Sequence, residues 1–365
     1  MKVHILGHRK ATVPRHLHPI RVFNASLKDQ DVEVKCYHSP RARGILDCDV
    51  LLFMEGGYRN LIPSGQTDRQ AAIEFLSSYL PRFRRVVWFD DSDSSGILRS
   101  YVMPLVDMYA KSQLMKNKEY YNEPHVIGAL HRDYVNERYA FEETRSYYKG
   151  AVGREGIEKL RIGWNLALID WHFRTRNRLL KRFGLFFPSK TNVVRPVAPR
   201  LHNRPVHISY RVNLWEATPT VYWWRKQTFD HIEALAERHP EFDIRWQGRL
   251  SQADYLREME NAVVVPSPFG VGEICYRDFE TFLAGALLFK PNMDHLETWP
   301  DLFERDVTYV AHAWDFSDFE EKLEHIISCP RQYEEIAQEG QRRMLAALTD
   351  GPAFAEHFRR MLAPA

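Results

Sequence analysis

Hydrophobic positions in the N-terminal half of the chain fall in short, nearly continuous runs: Val3–Leu6, Val32–Tyr37, Val50–Met54 and Val86–Phe89. Strands buried on both faces read this way, and a helical spacing over Gln70–Leu80 separates two of them, so the pattern predicts a covered parallel sheet. From Ser100 to Arg161 the chain is rich in Tyr, Arg and Glu and reads as mostly helical, with a long helix near Pro104–Tyr121. Residues 187–206 hold four prolines and little periodicity, which marks a linker. The strand–helix rhythm then restarts. Strands are expected at Val206–Tyr210, Asp243–Trp246, Val263–Val265, Ala286–Phe289 and Val307–Val310. Helices are expected near Trp223–Arg238, Gln252–Asn261, Ile274–Ala284, Asp318–Ser328 and Arg331–Leu348. The expected fold class is α/β, with two Rossmann-like doubly wound domains facing a cleft. Residues 1–195 and 196–350 are the expected domains, and residues 351–365 a closing helix that can pack back on the first.

The stretch 263–290, VVVPSPFGVGEICYRDFETFLAGALLFK, concentrates the chemistry. A strand runs into a Pro/Gly turn, a helix follows, and a second strand closes the unit. In parallel sheets ligands sit beyond the C-terminal strand ends, where helix N-termini offer free N–H groups to phosphate. Gly270 and Gly272 let backbone approach a pyrophosphate closely, and Arg277 offers a rigid fork of donors. Glu273, Arg277 and Glu280 share one helical face, opposite Cys275, Phe279, Phe282 and Leu283. That face has a plainer reading too: a solvated surface on which Arg277 pairs with Glu273 or Glu280. Neither GxGxxG nor GxxxxGK occurs, so the dinucleotide fingerprint and the P-loop are both missing.

Composition narrows the class. At 365 residues, 44% hydrophobic and 13% aromatic, the chain has material for two cores. A net charge of +2 speaks against a general nucleic-acid binder. The four cysteines, Cys36, Cys48, Cys275 and Cys329, form no CxxC pair, which suits free thiols in a reducing compartment. The chain opens directly on the strand-like KVHILG, so no signal peptide is expected. No apolar run approaches the roughly 20 residues a spanning helix needs. A cytoplasmic protein is expected, at most peripheral at the inner face of a membrane.

A second constellation is VVWFDDSDSSG, in which a strand delivers Asp90, Asp91 and Asp93 to its C-terminal end. The plain reading is an Asp/Ser turn that caps the next helix. Arg211, Arg225 and Arg249 follow strands or open a helix; as bare residues they read as surface charges. His8, after the first strand, is placed to face the cleft. Residues 174–187, RTRNRLLKRFGLFF, combine basic and apolar side chains and suit either an anionic membrane surface or an interdomain helix.

The string SPFGVGEICYRDFETFLAGALLFKP resembles the nucleotide-sugar half of GT-B glycosyltransferases, especially the bacterial glycosyltransferase family 1-like and exostosin-like groups. The resemblance covers about residues 205–345. It implies that Glu280 binds ribose, that Gly270–Gly272 face a phosphate, and that Glu273 and Arg277 contact sugar or diphosphate, and it makes Arg211, Arg225 and Arg249 candidate diphosphate contacts. One departure bears on stereochemistry. The retaining GT-B pattern sets seven residues between its two glutamates, whereas Glu273 and Glu280 have six between them. In the GT-B arrangement Asp93 or Asp91 faces the cleft as the base for an acceptor hydroxyl, with Arg277 neutralising the leaving group. The expectation is a hexosyl- or related transferase that uses a nucleoside diphosphate sugar, acts on a glycan or glycolipid in surface polysaccharide biosynthesis, and needs no cofactor. Asp91-Ser-Asp93 also resembles the DxD element of GT-A enzymes, which gives a metal-dependent alternative using Mg or Mn. A non-catalytic glycan- or nucleotide-binding protein on a transferase scaffold is the third reading.

Overall fold

A computed structural model of the chain describes residues 1–7, 13–55, 69–141, 143, 150–171, 196–214 and 218–364. The N-terminal strands are β1 (Lys2–Leu6), β2 (Glu33–Tyr37), β3 (Val50–Met54), β4 (Val86–Asp90), β5 (Met108–Lys111), a detached β6 (Gln113–Met115) and β7 (Leu160–Ile162). Six of them form one sheet in the order β2-β1-β3-β4-β5-β7, parallel throughout. Successive side chains alternate between its faces. Val3, Ile5, Leu52, Met54 and Phe89 pack with Ile20, Leu27, Phe354 and Phe358 on one side. Leu6, Leu51, Phe53 and Trp88 pack with Leu76 and Tyr79 on the other. Both faces are buried, which is why these strands read as continuous apolar runs.

The C-terminal strands are β8 (Val206–Ser209), β9 (Ile244–Arg245), β10 (Ala262–Pro266), β11 (Leu287–Pro291), β12 (Leu296–Thr298) and β13 (Val310–His312). Five form a second parallel sheet in the order β13-β11-β10-β8-β9. The fold is therefore two Rossmann-like α/β domains in succession. In the first sheet the chain leaves β1 for β2 on one side and returns to β3 on the other; in the second it leaves β8 for β9 and returns to β10. Each reversal is a topological switch point, the place where open α/β sheets hold ligands.

The two domains are joined by more than the chain. β6 and β12 pair antiparallel, with Gln113 opposite Thr298 and Met115 opposite Leu296. Lys116 N donates to His295 O at 2.9 Å, and Asn165 binds Trp299 O and Pro300 O through its backbone and side-chain amides. Helix Leu130–Tyr139, from the N-terminal half, packs on helix Pro219–Arg238 of the second domain, where Trp224 Nε1 donates to His131 O at 3.2 Å. Helix Gly351–Leu362 crosses back and lays Phe354 and Phe358 on the first sheet.

Residues 100–161 correct the expectation of a mostly helical segment. No long helix covers Pro104–Tyr121; a 3-10 helix at Ser100–Leu105 leads into β5 and β6, with a second 3-10 helix at Lys118–Asn122. Met108–Lys111 is instead buried in the sheet between β4 and β7, where strand pairing overrides local helix propensity. Lys111 looks like a surface residue in sequence, yet it is fully buried in β5 against Asp90. The last strand also shifts, from the expected Val307–Val310 to Val310–His312, because Asp306 turns the chain with φ 59°. The basic segment 174–187 and residues 187–195 of the expected linker lie outside the described residues. Among the described residues no helix is long and apolar enough to cross a membrane. All four cysteines are free thiols.

Candidate functional site

At the switch point of the second sheet, β8 runs on into Tyr210 and Arg211, and β10 into the turn Ser267–Gly272. Arg277 lies in the first turn of helix Tyr276–Ala284. Its Nη2 donates to Arg211 O at 2.7 Å, its guanidinium stands 5.8 Å from the Tyr210 ring centre, and its buried Nε has no hydrogen-bond partner among the described residues. Arg225, on helix Pro219–Arg238, donates through Nη1 to Asn213 O at 2.7 Å. Its Nη2 lies 3.7 Å from where a Cβ on Gly270 would stand. Burial first, and then the Arg277 charge beside it, lower the Arg225 pKa. Neither arginine has an ion-pair partner among the described residues. Two neighbouring cations without a carboxylate, at a strand switch and beside a helix N-terminus, make a site for an anion.

The other expected donor contacts divide. Arg211 is neutralised by Glu258, with Nε to Oε1 at 2.9 Å and Nη2 to Oε2 at 2.7 Å. Arg249 is exposed in the loop after β9. Glu280 is only 9% exposed and accepts from Tyr255 Oη at 3.3 Å. With Glu273 fully buried too, the solvated-surface reading of this face does not hold. The helix is fixed at its start by a capping box, in which Cys275 N donates to Asp278 Oδ2 at 2.9 Å. Asp278 also pairs, fully buried, with Lys290 at 3.2 Å.

Glu273 lies before the helix and reaches into the first domain. Its carboxylate accepts from Ser95 N at 3.0 Å, Ser95 Oγ at 2.7 Å and Gln113 Nε2 at 3.3 Å, with Ser94 Oγ and His131 Nδ1 each at 3.5 Å. Burial works against its charge, but His131, His295 and Ser95 outweigh it and bring the pKa down to about 2. A Cβ on Gly272 would run into the Asp93 carbonyl, so that position must be glycine for the two domains to meet here. Gln113 Nε2 donates to the same Asp93 O. His131 Nε2 donates to Gly270 O at 3.0 Å. Of the turn expected to face a phosphate, Gly272 and Glu273 thus meet the first domain, while Gly270 meets both His131 and Arg225.

Across the cleft, Asp90 is a structural carboxylate, bound by Tyr109 Oη at 2.7 Å, Ser92 N at 2.8 Å and Lys111 Nζ at 3.2 Å. Asp91 and Asp93 line a small cleft with His16, Ser92, Ser112, Gln113, Asn165, Leu166 and Ile274. Asp93 is exposed to solvent at the cleft, and the protein crowded around it, then the Asp91 charge, raises its pKa. Three neighbours to which the sequence assigned no role in the cleft stand beside these aspartates. His16 is buried in the wall, and its Nδ1 has no hydrogen-bond partner among the described residues. Arg15 binds Tyr276 Oη across the cleft. Glu55, at the end of β3 and so at the first switch point, accepts from Arg99 Nε at 2.7 Å and Trp88 Nε1 at 3.1 Å. Burial, then Asp90, pushes its pKa up to about 7. The rule that singles out His8, a polar residue ending a buried strand, would also have found Glu55. His8 itself lies outside the described residues. Among the described residues no three His, Cys, Asp or Glu side chains are grouped to hold a metal ion.

No family model matches the sequence, and no curated protein does. Solved structures give remote likenesses. One is an alpha-glucosyltransferase in complex with UDP, at 12% identity over 100% of both chains, TM-score 0.48. Another is Anabaena HepE in complex with UDP-glucose, at 11% identity over 99% of each chain, TM-score 0.42. A third is the Neisseria meningitidis UDP-GlcNAc 2-epimerase bound to UDP-GlcNAc, at 10% identity over 99% of this chain and 100% of that one, TM-score 0.43. At these scores the likenesses assign nothing to the residues of the cleft.

Proposed function

We propose that the protein is a glycosyltransferase that moves a sugar from a nucleoside diphosphate sugar to a hydroxyl of a glycan or glycolipid, in the assembly of a surface polysaccharide. The observation that carries this reading is the pair Arg225 and Arg277, close together at the second switch point with no carboxylate between them. A diphosphate seated there meets both guanidinium groups and the positive dipole end of helix Tyr276–Ala284. Gly270 carries no side chain on the same side, where a Cβ would stand 3.7 Å from Arg225 Nη2. Glu280, held by Tyr255, supplies acceptor oxygens for ribose hydroxyls.

The chemistry runs across the cleft. An acceptor hydroxyl gives its proton to Asp93, whose raised pKa suits a base, and its oxygen bonds to the sugar's anomeric carbon. The bond from that carbon to the diphosphate oxygen breaks with its electron pair, and the nucleoside diphosphate leaves. Charge accumulates on the leaving oxygen as Arg277 and Arg225 already stand in place, so the transition state gains more than the ground state does. Asp91, beside Asp93 in the cleft, favours proton uptake by its negative charge. The protein cations and the helix dipole do the neutralising, and no metal enters this account.

Release of nucleoside diphosphate from UDP- and GDP-sugars, with and without glycan acceptors, tests the reading. Wild type should turn over one donor, Asp93→Asn should lose on the order of 10²–10⁴-fold in kcat, and Glu280→Ala should weaken donor binding. Equal turnover in all three proteins would refute the assignments; no turnover of any donor by wild type would refute the function.

A further inference from the structure

The contact between the donor turn and the first domain carries more than stability. We infer that Glu273 is a positioning residue that sets the loop carrying Asp91 and Asp93, so that the donor turn and the acceptor base are held as one unit. This rests on the glycosyltransferase reading only in the role given to Asp93; the geometry stands alone. The Asp93 loop is held at the Asp93 carbonyl and again at Ser95. That carbonyl abuts Gly272 and accepts from Gln113 Nε2. The same Gln113 nitrogen lies 3.3 Å from Glu273 Oε2. Two residues on, Ser95 gives Glu273 both its backbone N–H and its hydroxyl.

The grip has an energetic reason to be all or none. A carboxylate at 0% exposure is costly unless its oxygens are bonded. The bonds that satisfy Glu273 come from the first domain, through Ser95 and Gln113. They form when the domains are together and are lost as a group when they part. Burial of Glu273 therefore drives the Asp93 loop to one position, and Gly270, three residues before Glu273, fixes the Arg225 side of the same turn. His131 reaches both ends of it, with Nε2 on Gly270 O and Nδ1 toward Glu273. The charged groups acting on the Asp93 carboxyl are Asp91, Lys111, Glu273 and Arg15; those acting on Glu273 include His131 and His295.

The test uses full-length protein labelled with ¹³C at aspartate carboxyls, the Asp93 signal being identified by its loss in Asp93→Asn. Wild type should give one sharp Asp93 line. Glu273→Gln keeps the shape but weakens acceptance from three donors, and Ser95→Ala removes one donor while leaving the Glu273 charge. Both variants should broaden or split the Asp93 line while melting as cooperatively as wild type. Glu273→Gln should also move the Asp93 titration to lower pH, because a neighbouring negative charge is gone. A single sharp Asp93 line in both variants overturns the inference, whatever its titration midpoint. Should Glu273→Gln fail to fold, the Ser95→Ala line decides alone. Calorimetry of UDP and GDP on wild type separates the two claims, since an absent nucleotide signal condemns the function and leaves the Asp93 result intact.

Discussion

Two buried glutamates in this molecule answer pH in opposite senses. Glu55 has its folded pKa raised from 4.5 to about 7, so its neutral form is the one the fold favours. Its contribution is fully present below about 4.5 and is lost as pH rises through about 7. Glu273 is lowered from 4.5 to about 2, so its contribution is present above 4.5 and lost as pH falls through about 2. Urea unfolding at stepped pH checks both. The stability of wild type relative to Glu55→Gln should decline from pH 4.5 to 7, and that relative to Glu273→Gln should decline from pH 4.5 toward 2. A flat difference in either window contradicts the burial argument. At this scale the sequence exposed residue types and their spacing but not their partners. Arg211 and Arg277 look alike as arginines after strands or at helix starts, and only the fold shows Glu258 neutralising the first. Glu273 reads as a ligand contact in sequence because Ser95 and Gln113, its donors, lie 178 and 160 residues away.

The elements were legible wherever both faces of a sheet are buried. Val50–Met54 and Val86–Asp90 show no polar interruption before their last residue, so apolar continuity alone marks them. β6 and β12 were not legible, because each has three residues and the pairing that makes them strands spans the two domains. The turn between β10 and its helix gives a sharp contrast to measure. Gly270→Ala meets only ordinary contact at 3.7 Å from Arg225 Nη2 and should fold normally. Gly272→Ala drives a methyl group into the Asp93 backbone and should destabilise by about 1–3 kcal/mol, as overpacking does. Equal thermal unfolding of the two variants would refute the close approach. On the closing helix, Phe358→Ala removes a fully buried ring from the first-sheet core and should reduce stability by about 3–5 kcal/mol. Chemical denaturation reads it directly.

At the scale of the whole molecule, two sheets with the same kind of order reversal face each other, and both switch points open on the cleft region. The second is built from described residues: Arg225 on helix Pro219–Arg238, Gly270 in the turn after β10, and Arg277 and Glu280 on helix Tyr276–Ala284. The first is bounded by Glu55 and His16, with its loops at 8–12 and 56–68 outside the described residues. The donor end is accordingly the better defined, in sequence and structure alike. It depends on a turn and a helix start within one continuous stretch, whereas the acceptor end gathers residues from β3, β4 and the start of the chain. The central claim is that an uncompensated arginine pair seats a diphosphate. Isothermal titration of UDP and GDP into wild type, Arg277→Ala and Arg225→Ala tests it most directly. One nucleotide should bind wild type, and each substitution should weaken it about 10–100-fold, the worth of a charge-assisted hydrogen bond of ~1.5–3 kcal/mol. Unchanged affinity in both variants, or no binding of either nucleotide to wild type, would contradict it.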